Sequence, residues 1–420
     1  MRNIVDLNVS HFSLAITRIA FHLAIAINLV DLLHWRPVAY SPDNWWVSEY
    51  VLPLALLTTL SALAGFQIRA SLVLNAILLR IVFHYCNDYY HWDRIIENFT
   101  FVFMFAPSKQ PLSFDYPGLA KKTESFSSID KWYVLFFYTA FVLMYLDSVI
   151  FKFQSEIWLN GAAFWLGTAV PHFSMAPLPQ WLEIHWLMRF FTYAALSYET
   201  LFPLVILRYF RTPLIAIGVA LHLGTCLIFP LPVFGAGLAS LLCFFVKWER
   251  ILPKALLGSS ITTATSTASS RVGILIRYLL LFSLILSQAL LFNTPSGKTN
   301  LLSKIIGTTR HSLFLDWHFS LQRPLMRFTL GQQTLEQVVP SFDEMGYPML
   351  RDRYWKMLGF FVRARADWDS EIIRFLKGWA QMEDIELSKI DIYCRDVRIP
   401  SLSLDFEIDN ELQKRNWTFA

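Results

Sequence analysis

Long apolar runs constrain this chain more than any other feature. Two of them, Phe12 to Leu33 and Val272 to Phe292, reach the roughly 20 residues that a helix needs to cross a bilayer. The first run lacks a small-residue cleavage site, and we expect it to be a retained helix rather than a signal peptide. Only 16% of the residues are charged and the mean hydropathy is +0.42, whereas a soluble domain carries about 25% charged residues. The sequence therefore excludes an ordinary cytosolic enzyme and predicts a polytopic membrane protein.

Hydropathy divides residues 1–292 into eight to nine predicted membrane helices, so the predicted fold class is an all-α polytopic membrane bundle. Boundaries taken from such patterns are accurate to about two to four residues. The predicted spans are 12–33, 49–66, 69–85, 94–107, 132–153, 183–207, 212–230, 232–246 and 272–292.

Lysine and arginine are distributed unevenly between the loops that join these spans. Helical membrane proteins concentrate both residues on the cytoplasmic side. With the N-terminus inside, the outer loops show little beyond Arg36, whereas the cytoplasmic set contains Arg2, Arg69, Lys109, Lys121, Lys122, Lys131, Arg208, Arg211, Lys247, Arg250, Lys254 and Arg271. We therefore expect a multi-pass protein, of the inner membrane if the cell is bacterial, with a cytoplasmic N-terminus and a Ser/Thr-rich cytoplasmic linker over 258–270.

Residues 293–420 differ from the rest of the chain, because Arg, Asp, Glu and Trp become more frequent and long apolar runs stop. Apolar residues recur at three- and four-residue steps over 354–361 and 372–379, which predicts amphipathic helices. Alternation at 390–392 and 402–406 predicts short strands. We therefore predict a small soluble α+β domain, which the deduced topology places on the extracytoplasmic side.

The sequence carries no clear metal or nucleic-acid signal. His84 and His91 are seven residues apart rather than three or four, which argues against a metal site. The net charge of +4 is explained by loop asymmetry, so we expect no nucleic-acid partner. The four cysteines form no CxxC pair. A disulfide between Cys86 and Cys394 is sterically conceivable, since both are predicted on the outer side, but their spacing does not require it.

Charged side chains inside the predicted spans need a partner or a use, since each costs at least about 2.5–3.5 kcal/mol near the bilayer centre. Arg18, Arg80 and Glu199 are such residues. We expect them to be structural, with arginine and glutamate neutralising each other between packed helices.

Lys152 and His222 are the candidate catalytic residues, and each has a structural alternative. Lys152 ends an apolar stretch over 141–151, where burial would disfavour the charged amine and leave a neutral base. The sequence alone favours the alternative, a lysine that extends to the outer interface and remains charged, because outer ends of helices often carry such anchors. His222 lies between two leucines in mid-span, where a hydrogen bond to a neighbouring carbonyl is as plausible as catalysis.

The segment from Tyr145 to Gly161 resembles the signature of the vitamin K-dependent γ-carboxylase-like proteins, also called the horizontally transferred transmembrane (HTTM) family. In this signature an aromatic residue, a small residue and a lysine, here Lys152, are followed by an apolar residue and then by Trp158 and the glycine. The segment 198–203 is similar to the family's Glu-x-x-x-Pro helix.

Other elements of the family's layout occur in the same order. His222 lies in the span that follows the segment 198–203. Arg18 in the first span, and the stretch 87–94 that leads to 105–107, are also similar to elements of the family's layout. The resemblance covers approximately residues 10–250, and the order of these elements is more specific than any single motif.

The resemblance implies a reaction and a set of residues. In the animal carboxylases, a lysine deprotonates reduced vitamin K, and oxygen converts the quinol anion into a strong base. That base removes a γ-proton from a glutamate side chain, and the resulting carbanion captures carbon dioxide. Lys152 would be the initiating base, and His222 would stabilise charge in the same cavity. His91, near a second family histidine, and Trp158 would bind the cofactor, which would be reduced vitamin K or a related quinol. The implied partners are the lipid bilayer, the quinone, and a secreted peptide or protein substrate.

Two other functions remain open. The resemblance to bacterial HTTM proteins associated with secreted peptides allows a role in peptide maturation or export without carboxylation. A transporter is less well supported, because the sequence shows no inverted repeat and no pair of Gly/Pro-broken spans in matching positions. The tail of 293–420 is shorter than the lumenal region of an animal carboxylase, so the resemblance does not define the substrate.

Overall fold

The computed structural model describes residues 4–40, 42–86, 91–116, 127–164, 185–229, 231–251, 271–292, 301–308, 322–330, 333–338, 389–398 and 407–418. Helices dominate these ranges up to residue 308. The longer helices are α1 (His11–His34), α2 (Val47–Ala64, beginning with the π-helical turn Val47–Val51), α3 (Ile68–Tyr85), α4 (His91–Phe103), α5 (Lys131–Lys152), α6 (His185–Leu201), α7 (Arg208–Ile228), α8 (Pro232–Leu242), α9 (Arg271–Phe292) and α10 (Leu301–Ile306). Short helical turns are Arg36–Ala39, Pro42–Asn44, Glu156–Leu159, Phe202–Ile206, Cys243–Phe245 and Trp248–Ile251.

Six of these helices are long and apolar enough to cross a membrane, namely α1, α2, α3, α5, α7 and α9. Their bounds agree with six of the predicted spans to within four residues. Several spans of this kind are the architecture of a multi-pass integral membrane protein, with the lipid bilayer as its surroundings.

The remaining three predicted spans correspond to shorter helices, so the predicted count of eight to nine is not confirmed. Helix α4 has 13 residues, about 20 Å, and it buries Asp93 and Glu97 inside the protein. Helix α6 has 17 residues. Helix α8 has 11 residues and continues in a 3-10 turn to Phe245. These helices are less apolar or shorter than a full span, and they pack within the bundle.

Arg18 on α1 is completely buried and holds the end of α2. Its guanidinium donates hydrogen bonds to the carbonyls of Ala62 and Leu63 in the last turn of α2, where helix carbonyls lack the usual partner one turn later. The Gly65 N–H also donates to Ala62 O at 3.3 Å. It also donates to Gln110 Oε1 at 3.0 Å and to the Leu112 carbonyl at 2.9 Å. The arginine is thus structural as predicted, but its partners are carbonyl and amide oxygens rather than a glutamate.

An N-terminal clasp, residues 4–11, joins several helix ends at one end of the bundle. The Asp6 carboxylate accepts a hydrogen bond from Lys247 and pairs with Arg211 at 3.4 Å. The backbone N–H of Asp6 donates to Ile206 O at 2.8 Å. Burial raises the pKa of Asp6, but the hydrogen bond from Lys247 and the charge of Arg211 outweigh burial, so the pKa lies below its ordinary value of 3.8.

The same clasp reaches the start of α5. The N–H of His11 donates to Ser127 O at 3.1 Å, and the N–H of Ile129 donates to Val9 O at 2.9 Å. The first residues of α1, α5 and α7 and the segment after α8 therefore lie at one end of the bundle. Lys152, at the last residue of α5, lies about 30 Å away along that helix.

Aromatic side chains fill the core around α5. Phe137 stacks on Phe244 with ring centroids 3.9 Å apart, and Phe141 packs against Phe99 and Phe202 at 5.1 and 5.0 Å. All of these rings are almost fully buried. Offset and edge-on ring contacts of this kind stabilise beyond the area that they bury, so α5 is a fixed central element of the bundle.

Backbone strands occur in the C-terminal region. They are β1 (Gln322–Leu330), β2 (Gln333–Val338), β3 (Lys389–Arg398) and β4 (Glu407–Thr418), paired antiparallel in the order β2-β1-β3-β4. The strand predicted at 390–392 lies in β3. The segments 354–361, 372–379 and 402–406, like the linker 258–270, lie outside the described residues, so the α+β domain stays a prediction. So does the pairing of Cys86 with Cys394.

Candidate functional site

One face of α5 carries the polar residues of the candidate site. Tyr145, Ser148 and Lys152 are separated by three and four residues, and all three are buried. Residues at these spacings lie on the same side of a helix. Helix α5 begins at an N-cap formed by Asp130, whose side chain accepts from the Trp132 N–H at 3.0 Å. The tyrosine and the lysine are therefore aligned about two turns apart.

Lys152 is paired with Glu199 of α6. The distance from Nζ to Oε1 is 2.5 Å, and both side chains are at least nine-tenths buried. Nζ also lies 4.4 Å from the centroid of the Trp158 ring, so the amine has a carboxylate on one side and an aromatic face on the other. Lys152 is thus held inside the protein and does not extend to an interface.

The end of α6 is fixed against α5, which sets the position of Glu199. Helix α6 ends at Leu201, and the chain continues as the 3-10 turn Phe202–Ile206, in which Pro203 has no N–H to extend the α-helical hydrogen bonds. The Tyr138 hydroxyl donates to Pro203 O at 2.7 Å. Glu199 therefore lies one turn before an anchored helix end and directly opposite Lys152.

His222 of α7 is held between two tyrosine rings. Its ring is nearly parallel to that of Tyr145, at 12° with centroids 6.2 Å apart, and edge-on to that of Tyr198, at 79° and 6.3 Å. The Tyr145 hydroxyl lies 2.6 Å from His222 Nε2 and 3.5 Å from the Tyr198 hydroxyl. The imidazole is buried and its orientation is defined by these contacts.

Gly218 permits this arrangement. It lies one turn before His222 on α7, and a Cβ there would overlap the Tyr198 hydroxyl. A larger residue would displace the ring that packs against the imidazole. The sequence of α7 thus provides both the histidine and the space for its neighbour.

The residues form one connected polar cluster, which we call the K-E-H cluster: Tyr145, Lys152, Tyr198, Glu199 and His222. The Tyr145 hydroxyl lies near His222 and Tyr198, and Lys152 contacts Glu199, the residue after Tyr198. Two buried atoms of the cluster, Glu199 Oε2 and His222 Nδ1, have no hydrogen-bond partner in the described part of the chain. Buried polar atoms are nearly always satisfied in proteins, so these two atoms are open to an ordered water or a polar ligand.

The four residues singled out from the sequence fall into two groups. Lys152, His222 and Trp158 come together at the K-E-H cluster. His91 is the first residue of α4, and its side chain is outside what the structure describes.

Sequence reasoning missed the two tyrosines, and it gave Glu199 an arginine partner, which is wrong. Tyr145 could have been found from its spacing of seven residues from Lys152 along one face of α5. Arg80, the other arginine of that set, donates to Glu97 O at 3.0 Å.

Within the described ranges, no three His, Cys, Asp or Glu side chains are grouped so as to hold a metal ion.

No family model, curated protein or solved structure matches this chain.

Proposed function

We propose that this chain is an integral membrane enzyme of the vitamin K-dependent γ-carboxylase-like type, which uses a reduced quinone, O2 and CO2 to modify a glutamate of a peptide or protein at the outer membrane face. The family assignment rests on the sequence resemblance. The observation that carries the chemical proposal is the buried pair of Lys152 and Glu199. The contact places the Glu199 carboxylate, a proton acceptor, directly beside the lysine amine.

Lys152 would act as the initiating base. Transfer of an amine proton to Glu199 would leave a lone pair on Nζ, which would then accept a proton from a quinol hydroxyl. The ammonium that results remains beside the Trp158 ring, whose face stabilises a cation. Glu199 thus controls whether the amine is able to accept a proton, and this makes the pair more than a structural ion pair.

The unpartnered atoms of the cluster fit a quinol. Glu199 Oε2 can accept a hydrogen bond, His222 Nδ1 can donate one or accept one, and a quinol offers hydroxyl groups that do both. When bound, a reduced quinone would supply the electrons that reduce O2 and thereby generate the strong base that removes a glutamate γ-proton. Trp158 would line the quinol site, and the family resemblance implies that His91 would also contact the quinol.

The proposed topology has a cytoplasmic N-terminus and an extracytoplasmic α+β domain over 293–420. Support comes from the clasp, which brings Arg211 and Lys247 to the same end of the bundle. Both belong to the basic set that the positive-inside rule assigns to the cytoplasm. Lys152, at the opposite end of α5, would then face the outer leaflet, where a secreted substrate could reach it.

The test is quinol-dependent turnover by the purified full-length protein in lipid nanodiscs. Oxygen uptake with vitamin K hydroquinone, and incorporation of labelled CO2 into a glutamate-containing peptide, would be compared for the wild type and for Lys152→Met. Removal of a general base lowers the rate by about 10²–10⁴-fold. Lys131→Met, at the exposed opposite end of the same helix, is the matched control and should keep the wild-type rate.

The outcomes separate the alternatives. Equal rates for wild type and Lys152→Met would remove the lysine from the role of base. Oxygen uptake without CO2 incorporation would indicate a quinol oxygenase. A peptide that copurifies and binds without any quinone dependence would favour the role in peptide maturation or export.

A further inference from the structure

The hydrogen bond between Tyr145 and His222 determines which imidazole nitrogen carries the proton. The Tyr145 oxygen has one short contact in the described part of the chain, 2.6 Å to Nε2, and its contact with the Tyr198 hydroxyl is 3.5 Å. Hydrogen bonds between hydroxyl groups are normally 2.7–2.8 Å long. Donation to Nε2 is the arrangement in which the Tyr145 O–H has a well-placed acceptor, and it requires Nε2 to be the unprotonated nitrogen.

We infer that Tyr145 is a positioning residue that holds His222 as the Nδ1–H tautomer, so that Nδ1 presents a hydrogen-bond donor to an oxygen atom of a bound ligand. A neutral imidazole has one N–H and one acceptor nitrogen, and the bond made by one nitrogen fixes the other. Nδ1 is buried and has no hydrogen-bond partner among the described residues. A buried N–H in that position requires an acceptor.

The surroundings of the ring keep Nδ1 in place. Tyr145 and Tyr198 enclose the imidazole from its face and its edge, and Tyr198 is itself packed where Gly218 leaves room. The two ring nitrogens point in different directions, so Nδ1 faces away from the Tyr145 hydroxyl. Lys152 and Glu199 are the other ionisable groups of the K-E-H cluster.

A fixed N–H donor in a water-poor site stabilises developing negative charge most strongly. The acceptor that suits His222 Nδ1 is therefore an oxygen whose negative charge grows during the reaction. Its identity as a quinol oxygen rests on the proposed function. The tautomer itself does not, and it can be measured in the protein without any quinone.

The experiment is nitrogen NMR on full-length protein labelled with ¹⁵N-histidine in nanodiscs. The His222 signals are assigned by their loss in His222→Gln. In the wild type we expect Nδ1 to show the shift of a protonated nitrogen and Nε2 that of an unprotonated one. In Tyr145→Phe, which removes only the hydroxyl, we expect the Nδ1–H form to lose its dominance and the Nε2–H form to rise.

Two further variants keep the test discriminating. Tyr133→Phe changes a buried tyrosine three turns earlier on α5, whose hydroxyl has no hydrogen-bond partner among the described residues, and should leave both signals unchanged. Tyr198→Phe should also leave the tautomer unchanged. A protonated Nε2 in the wild type, identical spectra for Tyr145→Phe, or a tautomer that responds to Tyr198→Phe instead would each overturn the role of Tyr145.

Addition of vitamin K hydroquinone without oxygen tests the ligand. We expect the Nδ1–H signal to shift in the wild type. If the tautomer is as inferred but this signal does not move, the donor role toward a quinol oxygen is overturned together with the proposed cofactor, while the positioning by Tyr145 stands.

Discussion

Lys152 Nζ lies 2.5 Å from Glu199 Oε1, and both side chains are almost completely removed from solvent. The attraction between the two charges offsets the cost of burying each of them, so that neither can be removed alone without leaving an uncompensated charge.

Replacing one member of this pair should therefore destabilise the protein more than replacing both members together. We expect Lys152→Met or Glu199→Gln alone to cost about 3–5 kcal/mol of unfolding free energy, and the double variant to cost much less than the sum. Thermal unfolding in detergent or nanodiscs measures all three. If the two single effects simply add in the double variant, the pair contributes no coupling energy.

The two glycines of α7 should respond oppositely to alanine. Gly218→Ala introduces a Cβ that overlaps the Tyr198 hydroxyl, and overpacking of this kind costs about 1–3 kcal/mol. Gly224→Ala meets nothing within 4 Å and should be neutral or stabilising by up to about 1 kcal/mol, because alanine favours a helix. Melting temperatures of the two variants, compared with the wild type, test this. Equal effects would mean that Tyr198 does not occupy the space beside Gly218.

Arg18 should not be replaceable by lysine. Its planar guanidinium donates to three carbonyls and to Gln110 from a completely buried position, and an ammonium cannot reproduce this pattern. We expect Arg18→Lys to cost about 3 kcal/mol or more, since a buried charge then lacks partners.

The control for this change is Arg36→Lys. Arg36 pairs with Glu49 at 3.3 Å, and both side chains are about half exposed. An exposed ion pair contributes about 0–1 kcal/mol, so this variant should unfold at nearly the wild-type temperature. A similar loss in both variants would argue against the capping role of Arg18.

Protonation of Asp6 at low pH should weaken the N-terminal clasp. The pKa of Asp6 is below its ordinary value of 3.8 in the folded protein, so the unfolded state binds the proton more readily. The stability that Asp6 provides is then fully present above about pH 4 and is lost as the pH falls through the lower, folded pKa. We expect the melting temperature of the wild type to drop more steeply below pH 4 than that of Asp6→Asn, which should be less stable at neutral pH. Parallel curves for the two proteins would rule out this contribution.

The spans with long apolar runs were predictable, because crossing a bilayer requires a length and a composition that the sequence shows directly. The shorter helices were not, since α4 mixes apolar residues with Asp93 and Glu97, whose burial depends on neighbours rather than on hydropathy. Helix packing also decides which charges meet. Lys152 and Glu199 are 47 residues apart, and no periodicity links them.

The same limit applies within the candidate site. Lys152 and His222 could be selected because ionisable groups in a span are rare. Tyr145 could have been placed on the face of Lys152 by its spacing, but its role and that of Tyr198 could not be predicted, because only the packed structure shows that the two rings enclose the imidazole.

The clasp also has a consequence for the order of assembly. Asp6 and Lys247 are separated by 241 residues, so their bond cannot form until the ribosome has made every helix from α1 to α8. Contacts that are so distant in sequence are slow to close. The N-terminal segment therefore stays undocked while α1 to α8 are made, and α9 and the C-terminal region are still to be added when it becomes able to dock.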